Sequence, residues 1–210
     1  MSEVILVGGF HEIIELCEEQ DLVIRGIIDN KISGFYCGYP IIGSDNEAKG
    51  IFNKYRETPL IITPDNPNVR EKLVSLYNDV GFKFYSLIGK RAHISKTATI
   101  GEGCVIQNGV NISSHVTIGN FVKVNTNANI MHDVSIGDFS TIAPNSVLLG
   151  GVDIRKNAYI GANSTILPFL HVGDEALVGA GSIVTKNVEA RKIVMGNPAK
   201  EFKKNNSIFI

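Results

Sequence analysis

Two different spacings of apolar residues divide the chain. In residues 1–85 the apolar positions come in short runs separated by helical patterns. VILVGG (Val4–Gly9) is an unbroken apolar run ending in glycines, the pattern of a strand buried on both faces. HEIIELCEEQ follows, with Ile13, Ile14, Leu16 and Cys17 set among acids, and predicts an amphipathic helix. VIRGIIDN (Val23–Asn30) and PLIITP (Pro59–Pro64) predict two further strands, and VREKLVSLYNDVG a second helix closed by Gly81. The order β-α-β…β-α predicts a small, open, mostly parallel sheet.

From Ile94 to Val184 another rule holds. An aliphatic residue falls at every sixth position, sixteen times without a slip: Ile94, Ile100, Ile106, Ile112 and onward to Val172, Val178 and Val184. Four residues after each stands a small or apolar residue, from Ala98 and Cys104 to Ser182 and Val188. A helix cannot use a strict period of six, because its apolar stripe would drift around the axis. A coil with three flat sides of six residues can. Each aliphatic points inward once per side, and the small residue is expected to fit the tight corner. Such hexads mark a parallel β-helix, whose coils bury their faces only by stacking.

Composition narrows the function. The net charge is -1, with 20 basic and 21 acidic residues, which argues against a general nucleic-acid binder. No apolar stretch reaches roughly 18 residues, so no membrane insertion is expected. The opening MSEVILVGG lacks the charged region and cleavage site of a secretory signal. Cys17, Cys37 and Cys104 form neither a disulfide framework nor a CxxC pair, and the expected setting is a reducing cytoplasm.

Against this regular pattern, His132 and Asp133 stand out. His132 is the third residue of the hexad Ile130–Ser135, off both inward stripes, so packing does not require it. Histidine suits proton transfer near neutral pH, and a neighbouring carboxylate can orient its ring. A solvated polar pair on a coil edge is the plainer alternative. His115 lies 17 residues earlier and close in azimuth; His93 and His171 read as corner residues. No cysteine or acid cluster shares the histidine spacing, so no metal is expected.

With its hexads of the type aliphatic–Gly–x–x–small–x, its glycine turn VGGFHEI and its closing VMGNPAK, the chain resembles the hexapeptide-repeat acyltransferases. It is most similar to the sialic-acid O-acetyltransferase-like sugar acyltransferases, including bacterial N-acetyltransferases of nucleotide-linked 4-amino-4,6-dideoxy sugars. The resemblance implies a left-handed parallel β-helix of about five coils over residues 86–210, preceded by a small α/β Rossmann-like domain over residues 1–85. It implies acetyl-CoA as co-substrate, a homotrimer with active sites between subunits, and a place in surface-glycan biosynthesis such as that of lipopolysaccharide O-antigen. The usual right-handed crossover rule would point to the opposite hand.

The resemblance also assigns residues. His132 and Asp133 match the catalytic base and its acidic neighbour, although some relatives carry glutamate at the second position. Asn125 matches a position near the sugar. Thr141, Ala162 and Ala180 match coenzyme-contacting positions, and Lys186 either meets a coenzyme phosphate or stands solvated. In the first domain Gly9, Phe10 and His11 match the turn that precedes the first helix, a glycine turn of the kind that can cradle a phosphate on free N–H groups. Asp29 and Asn30 fall where relatives contact base or ribose, and they suit a pyrimidine carrier, dTDP or UDP, with GDP left open. Pro64 stands where relatives usually have glycine. The expected reaction is N-acetylation of the sugar's 4-amino group. O-acetylation of sialic acid or another sugar, and a non-catalytic trimeric scaffold, are the alternatives. The tail from Glu201 to Ile210 has no assigned role beyond Ile208–Ile210 packing on a neighbour.

Overall fold

A computed structural model describes residues 2–202; the apolar tail at Ile208–Ile210 lies outside the described residues. The first unit is a five-stranded sheet. Its strands are β1 (Glu3–Val7), β2 (Val23–Ile28), β3 (Phe35–Tyr36), β4 (Tyr39–Gly43) and β5 (Leu60–Ile62), in the order β3-β4-β2-β1-β5. All pairings are parallel except β3 with β4. That hairpin was not predicted. Its turn, Cys37–Gly38, has positive φ at both residues, the geometry of a tight two-residue connection. Helix α1 (His11–Glu19) lies on one face; α2 (Ala48–Tyr55), also unpredicted, and α3 (Pro67–Val80) lie on the other. Gly81 closes α3 with φ 107°, as its position in the sequence predicted.

From Leu87 onward, two-residue strands recur every six residues and pair with the strand eighteen residues on, as in Asn111↔Asn129 and Ile112↔Ile130. They form three sheets of eight, six and five strands around one apolar core. From Ile106 onward the inward aliphatics are almost fully buried, while Ile94, Ala98 and Ile100 in the first coil, and Leu170, are partly so. The other small or apolar residues four positions on are buried as well, and their polar members are satisfied: Ser146 Oγ donates to Ala143 O and Ser164 Oγ to Gly161 O, both at 2.6 Å. These residues do not turn the corner. The residue before each does, adopting positive φ at Gly109, His115, Phe121, Asn127, Asp133, Phe139, Asn145 and Gly151 in succession. Asparagine, aspartate and glycine enter the left-handed region most readily, which explains their recurrence.

The α/β unit stands end-on against the eight-stranded sheet, whose outward residues Val105, Lys123 and Thr141 it buries. Arg70 of α3, 1% exposed, fastens the join. Its guanidinium donates to Phe121 O (2.7 Å), Ser140 O (3.0 Å), Thr141 Oγ1 (2.9 Å) and Phe139 O on the β-helix, and to Pro64 O (2.8 Å) and Asp65 O (3.1 Å) on its own unit. Burial pulls its pKa down to about 10, partly opposed by Asp65.

Candidate active site

Each coil turns three corners, which stack into three edges. On the edge leading from the six-stranded to the five-stranded sheet, His132 Nδ1 lies 2.8 Å from Asp133 Oδ2. Both side chains are exposed. Asp133 occupies the corner-turning position, with φ 60°, and its N–H donates to Ser114 O at 3.0 Å. The backbone thereby fixes the carboxylate beside the imidazole. One coil on, the ring rests over Gly150, where a Cβ would stand 2.6 Å from Cε1 and 2.7 Å from Nε2. Only glycine leaves room for this ring position.

Gly150 offers a second feature that sequence reasoning missed. On the edge between the five- and eight-stranded sheets some equivalent N–H groups are capped from the coil above: Asn120 N donates to Asp138 Oδ1 (2.7 Å) and Lys156 N to Asp174 Oδ1 (3.1 Å), whereas on the histidine edge those of Ser114, His132 and Lys186 have no acceptor among the described residues. Above Gly150 the capping position holds Pro168, which has no side-chain acceptor. Among the described residues no acceptor takes the Gly150 N–H. Next to it, the Phe169 ring lies over Gly151 and is 80% exposed. Lys186 continues the column His132, Gly150, Pro168. At the usual spacing between strands it lies about 14 Å along the edge from His132. His115 also turns a corner here, directly below Asp133. His93 and His171 are not corner residues. They lie in strands on the flat sides, and His171 Nδ1 meets Asp153 Oδ2 at 3.1 Å.

A second edge, between the eight- and six-stranded sheets, carries Asn125, Ala162 and Ala180. Ala162 and Ala180 stack one coil apart, and Ala162 O accepts the Gly181 N–H. Beside Asn125 the strand ends of the α/β unit open a cleft of about 300 Å³, lined by Gly8, Gly9, Phe10, Asp29, Thr63, Pro64 and Asp65. It lies where the strand order reverses from β1 to β5, the usual ligand crevice of such sheets. Packed behind its lining residues is Lys123, 1% exposed, which the sequence reading passed over. Lys123 Nζ donates to Thr63 O (2.6 Å), pairs with Asp65 Oδ1 (2.9 Å) and sits 4.8 Å from the Phe10 ring centroid. Burial pushes its pKa down and Asp65 resists that shift. The same Asp65 oxygen accepts from Asn125 Nδ2 at 3.1 Å, leaving the buried Asn125 Oδ1 without a partner.

Several expectations change. The glycine turn does not offer free N–H groups: Gly8 N donates to Ile28 O and Gly9 N to Asp29 Oδ2, both at 2.9 Å. The N–H groups without an acceptor among the described residues belong to Phe10, His11 and Glu12 at the start of α1. Asp29 is held by the backbone. Burial alone would raise its pKa, but N–H donors from Gly9, Lys31 and Ile32 lower it on balance. The Asn30 amide is taken at both ends by Asp45 (2.6 and 3.0 Å). Both residues are thus partly committed within the protein, Asp29 keeping one acceptor site and Asn30 one N–H and one lone pair. Pro64 faces the cleft, and its carbonyl is bound to Arg70. Thr141 cannot touch a coenzyme: it is fully buried at the join, with Oγ1 donating to Asp65 O at 2.6 Å. Among the described residues no group of three or more His, Cys, Asp or Glu could hold a metal ion, and no helix is long and apolar enough to cross a membrane.

This fold and its open edges define a β-helical transferase of the hexapeptide-repeat class. The family model for the bacterial transferase hexapeptide (six repeats) matches residues 115–150, and that for the hexapeptide repeat of succinyl-transferase matches 86–114, 133–168 and 151–186. WeeI from Acinetobacter baumannii AYE is 30% identical over 96% of this chain and 100% of its own, with a TM-score of 0.83. PerB from Caulobacter crescentus, solved in complex with CoA and GDP-perosamine, is 26% identical over 97% of this chain and 98% of its own, with a TM-score of 0.90. The acetyltransferase domain of PglB from Neisseria gonorrhoeae FA1090, in complex with acetyl coenzyme A, is 25% identical over 95% and 98%, with a TM-score of 0.86. No curated protein sequence matches. The chain belongs to the bacterial hexapeptide-repeat transferases, and its coil is their left-handed parallel β-helix.

Proposed function

We propose that this protein is an acetyl-CoA-dependent N-acetyltransferase acting on the 4-amino group of a nucleotide-linked 4-amino-4,6-dideoxyhexose. The observation that carries the reading is the His132–Asp133 pair lying over Gly150, with an unpaired N–H beside the imidazole. Relatives that share nearly the whole chain include a GDP-perosamine N-acetyltransferase solved with CoA and GDP-perosamine and an acetyltransferase domain solved with acetyl coenzyme A. In the proposed reaction the amine nitrogen forms a bond to the acyl carbon and the carbon–sulfur bond breaks. His132 takes the proton that the amine loses and returns it to the departing thiolate. Asp133 holds the ring, and the Gly150 N–H donates to the acyl oxygen as negative charge grows there.

The edge above His132 suits the co-substrate. Gly150 gives room to the imidazole and leaves its own N–H open beside it, Pro168 and Phe169 offer apolar surface, and Lys186 supplies a cation for a phosphate. When bound, acetyl-CoA supplies the activated acetyl group. Ala162 and Ala180 give the second edge room for close approach. The α/β unit over residues 1–85 holds the nucleotide sugar, with Phe10, Asp29 and Pro64 lining the cleft and His11 and Asn125 beside it.

Within one chain the cleft and His132 lie on different edges, separated by the six-stranded sheet. A homotrimer with its axis along the coils would bring the histidine edge of one protomer against the cleft edge of the next, at the same height. We place this chemistry in the cytoplasm, in surface-glycan synthesis. The test is thiol release from acetyl-CoA with nucleotide-linked 4-amino-4,6-dideoxy sugars. Turnover should fall about 100-fold or more in His132→Ala with the fold intact. Undiminished turnover in the variant would remove His132 as the base.

A further inference from the structure

A second cavity, of about 250 Å³, continues from the cleft through Gly8, Asp29 and Pro64 and opens away from the β-helix. If the sugar lies on the Asn125 side, as the proposed function has it, this cavity is left for the nucleobase. Its two sides differ. Val7, Ile28, Pro64, Val69 and Leu73 give it apolar surface, and Val69 is 44% exposed. Across from them stand Asn30, Lys31 and Asp45.

The Asp45 carboxylate is fixed in place. Tyr77, fully buried on α3, donates its hydroxyl to Oδ1 at 2.6 Å, and Asn30 Nδ2 donates to Oδ2 at 2.6 Å. The Asp45 N–H donates back to Asn30 Oδ1 at 3.0 Å. The loop entering Asp45 is tied as well, since Ser44 N and Oγ both donate to Glu47 Oε2. A carboxylate has about four acceptor sites, so two remain after Tyr77 and Asn30.

We propose that Asp45 reads the Watson–Crick edge of the base and selects guanine, an inference that rests on the nucleotide-sugar function proposed above. Guanine presents two adjacent donors, N1–H and the 2-amino group, which a carboxylate accepts side by side. Lys31, on the same cavity, supplies the cation that guanine O6 prefers. Uracil and thymine present one N–H flanked by two carbonyl oxygens, which repel the carboxylate. Adenine and cytosine present ring-nitrogen acceptors there. The apolar side formed by Pro64, Val69 and Leu73 accepts the face of a purine.

The test is calorimetric titration of the native protein with GDP, IDP, UDP and dTDP, then of Asp45→Asn. IDP lacks only the 2-amino group. GDP should bind about tenfold tighter than IDP, and UDP and dTDP more weakly still. Asp45→Asn should bring GDP down to the level of IDP. Equal binding of GDP and IDP, or a preference for UDP or dTDP, would overturn the assignment of Asp45 while leaving a nucleotide-sugar enzyme standing. Binding of none of the four would remove the nucleotide role as well. The native GDP–IDP comparison decides the matter even if the variant fails to fold.

Discussion

At the histidine edge the position two residues after the inward aliphatic holds His132, Gly150, Pro168 and Lys186. At the cleft edge the same position holds Thr126, Pro144, Ala162 and Ala180. One hexad rule builds both, with the same strand register and the same positive-φ corners. What they present differs. The first carries the His132–Asp133 pair, the proposed base and its partner; the second carries the cleft made with the α/β unit, the proposed sugar pocket, and no histidine among the described residues at its corner positions. A repetitive scaffold thus separates the halves of a site by a whole side of the prism, and a second copy of the chain is the simplest way to reunite them.

That division can be broken most directly by mixing subunits. His132→Ala disables the first edge. Pro64→Asp puts a carboxylate where the proposed diphosphate passes and disables the second, with the Pro64 carbonyl contact to Arg70 preserved in kind. Each variant alone should be nearly inactive. Unfolded together and reassembled one to one, they should regain about a quarter of native activity, because about a quarter of junctions between copies join two intact edges. Sites complete within one protomer would regain nothing.

The two regions differed in how plainly the sequence announced them. The β-helix was legible because each hexad obeys the same local demand: an inward aliphatic at one position and a small or apolar residue four later. His132 was legible as a departure from that demand. The corner itself was misplaced by one residue, since positive φ leaves no apolar signature and the position tolerates Asn, Asp, His and Phe alike. The roles of Gly150 and Lys123 depend on neighbours eighteen and sixty residues away, the ring of His132 and the carbonyl of Thr63. The same holds for Thr141, an ordinary strand residue in sequence that the join with Arg70 takes out of reach. Asp29 and Asn30 were correctly seen as strand-end polar residues, but their hydrogen-bond partners are backbone groups and Asp45, which no local pattern names.

Arg70 sharpens the comparison from the side of the cleft. Its guanidinium ties carbonyls of both units, and Met in its place would leave several buried acceptors unpaired. Arg70→Met should lower unfolding stability by about 3 kcal/mol or more, measured by denaturant titration. In the protein that remains folded, the KM for the nucleotide sugar should rise while the KM for acetyl-CoA stays close to native, because this join positions the α/β unit that carries the cleft and touches nothing on the histidine edge. Equal changes in both would mean that the α/β unit orders the histidine edge too.

Gly150 tests the histidine edge alone. It is absent from the positive-φ positions, unlike Gly151 with φ 69°, so its backbone admits alanine without strain. Its purpose is space: the added methyl would meet Cε1 and Nε2 of His132 at 2.6 and 2.7 Å, well inside contact distance. The exposed imidazole can yield by rotating away, so stability should change little. The catalytic geometry should suffer, because a displacement of about 1 Å at a reacting group can cost up to 100-fold. Gly150→Ala is expected to lower kcat by about tenfold, with the KM for the nucleotide sugar unchanged, since the cleft lies on the other edge. An unchanged kcat would mean that the ring position over Gly150 is incidental to turnover, and that the two edges meet with His132 in another orientation.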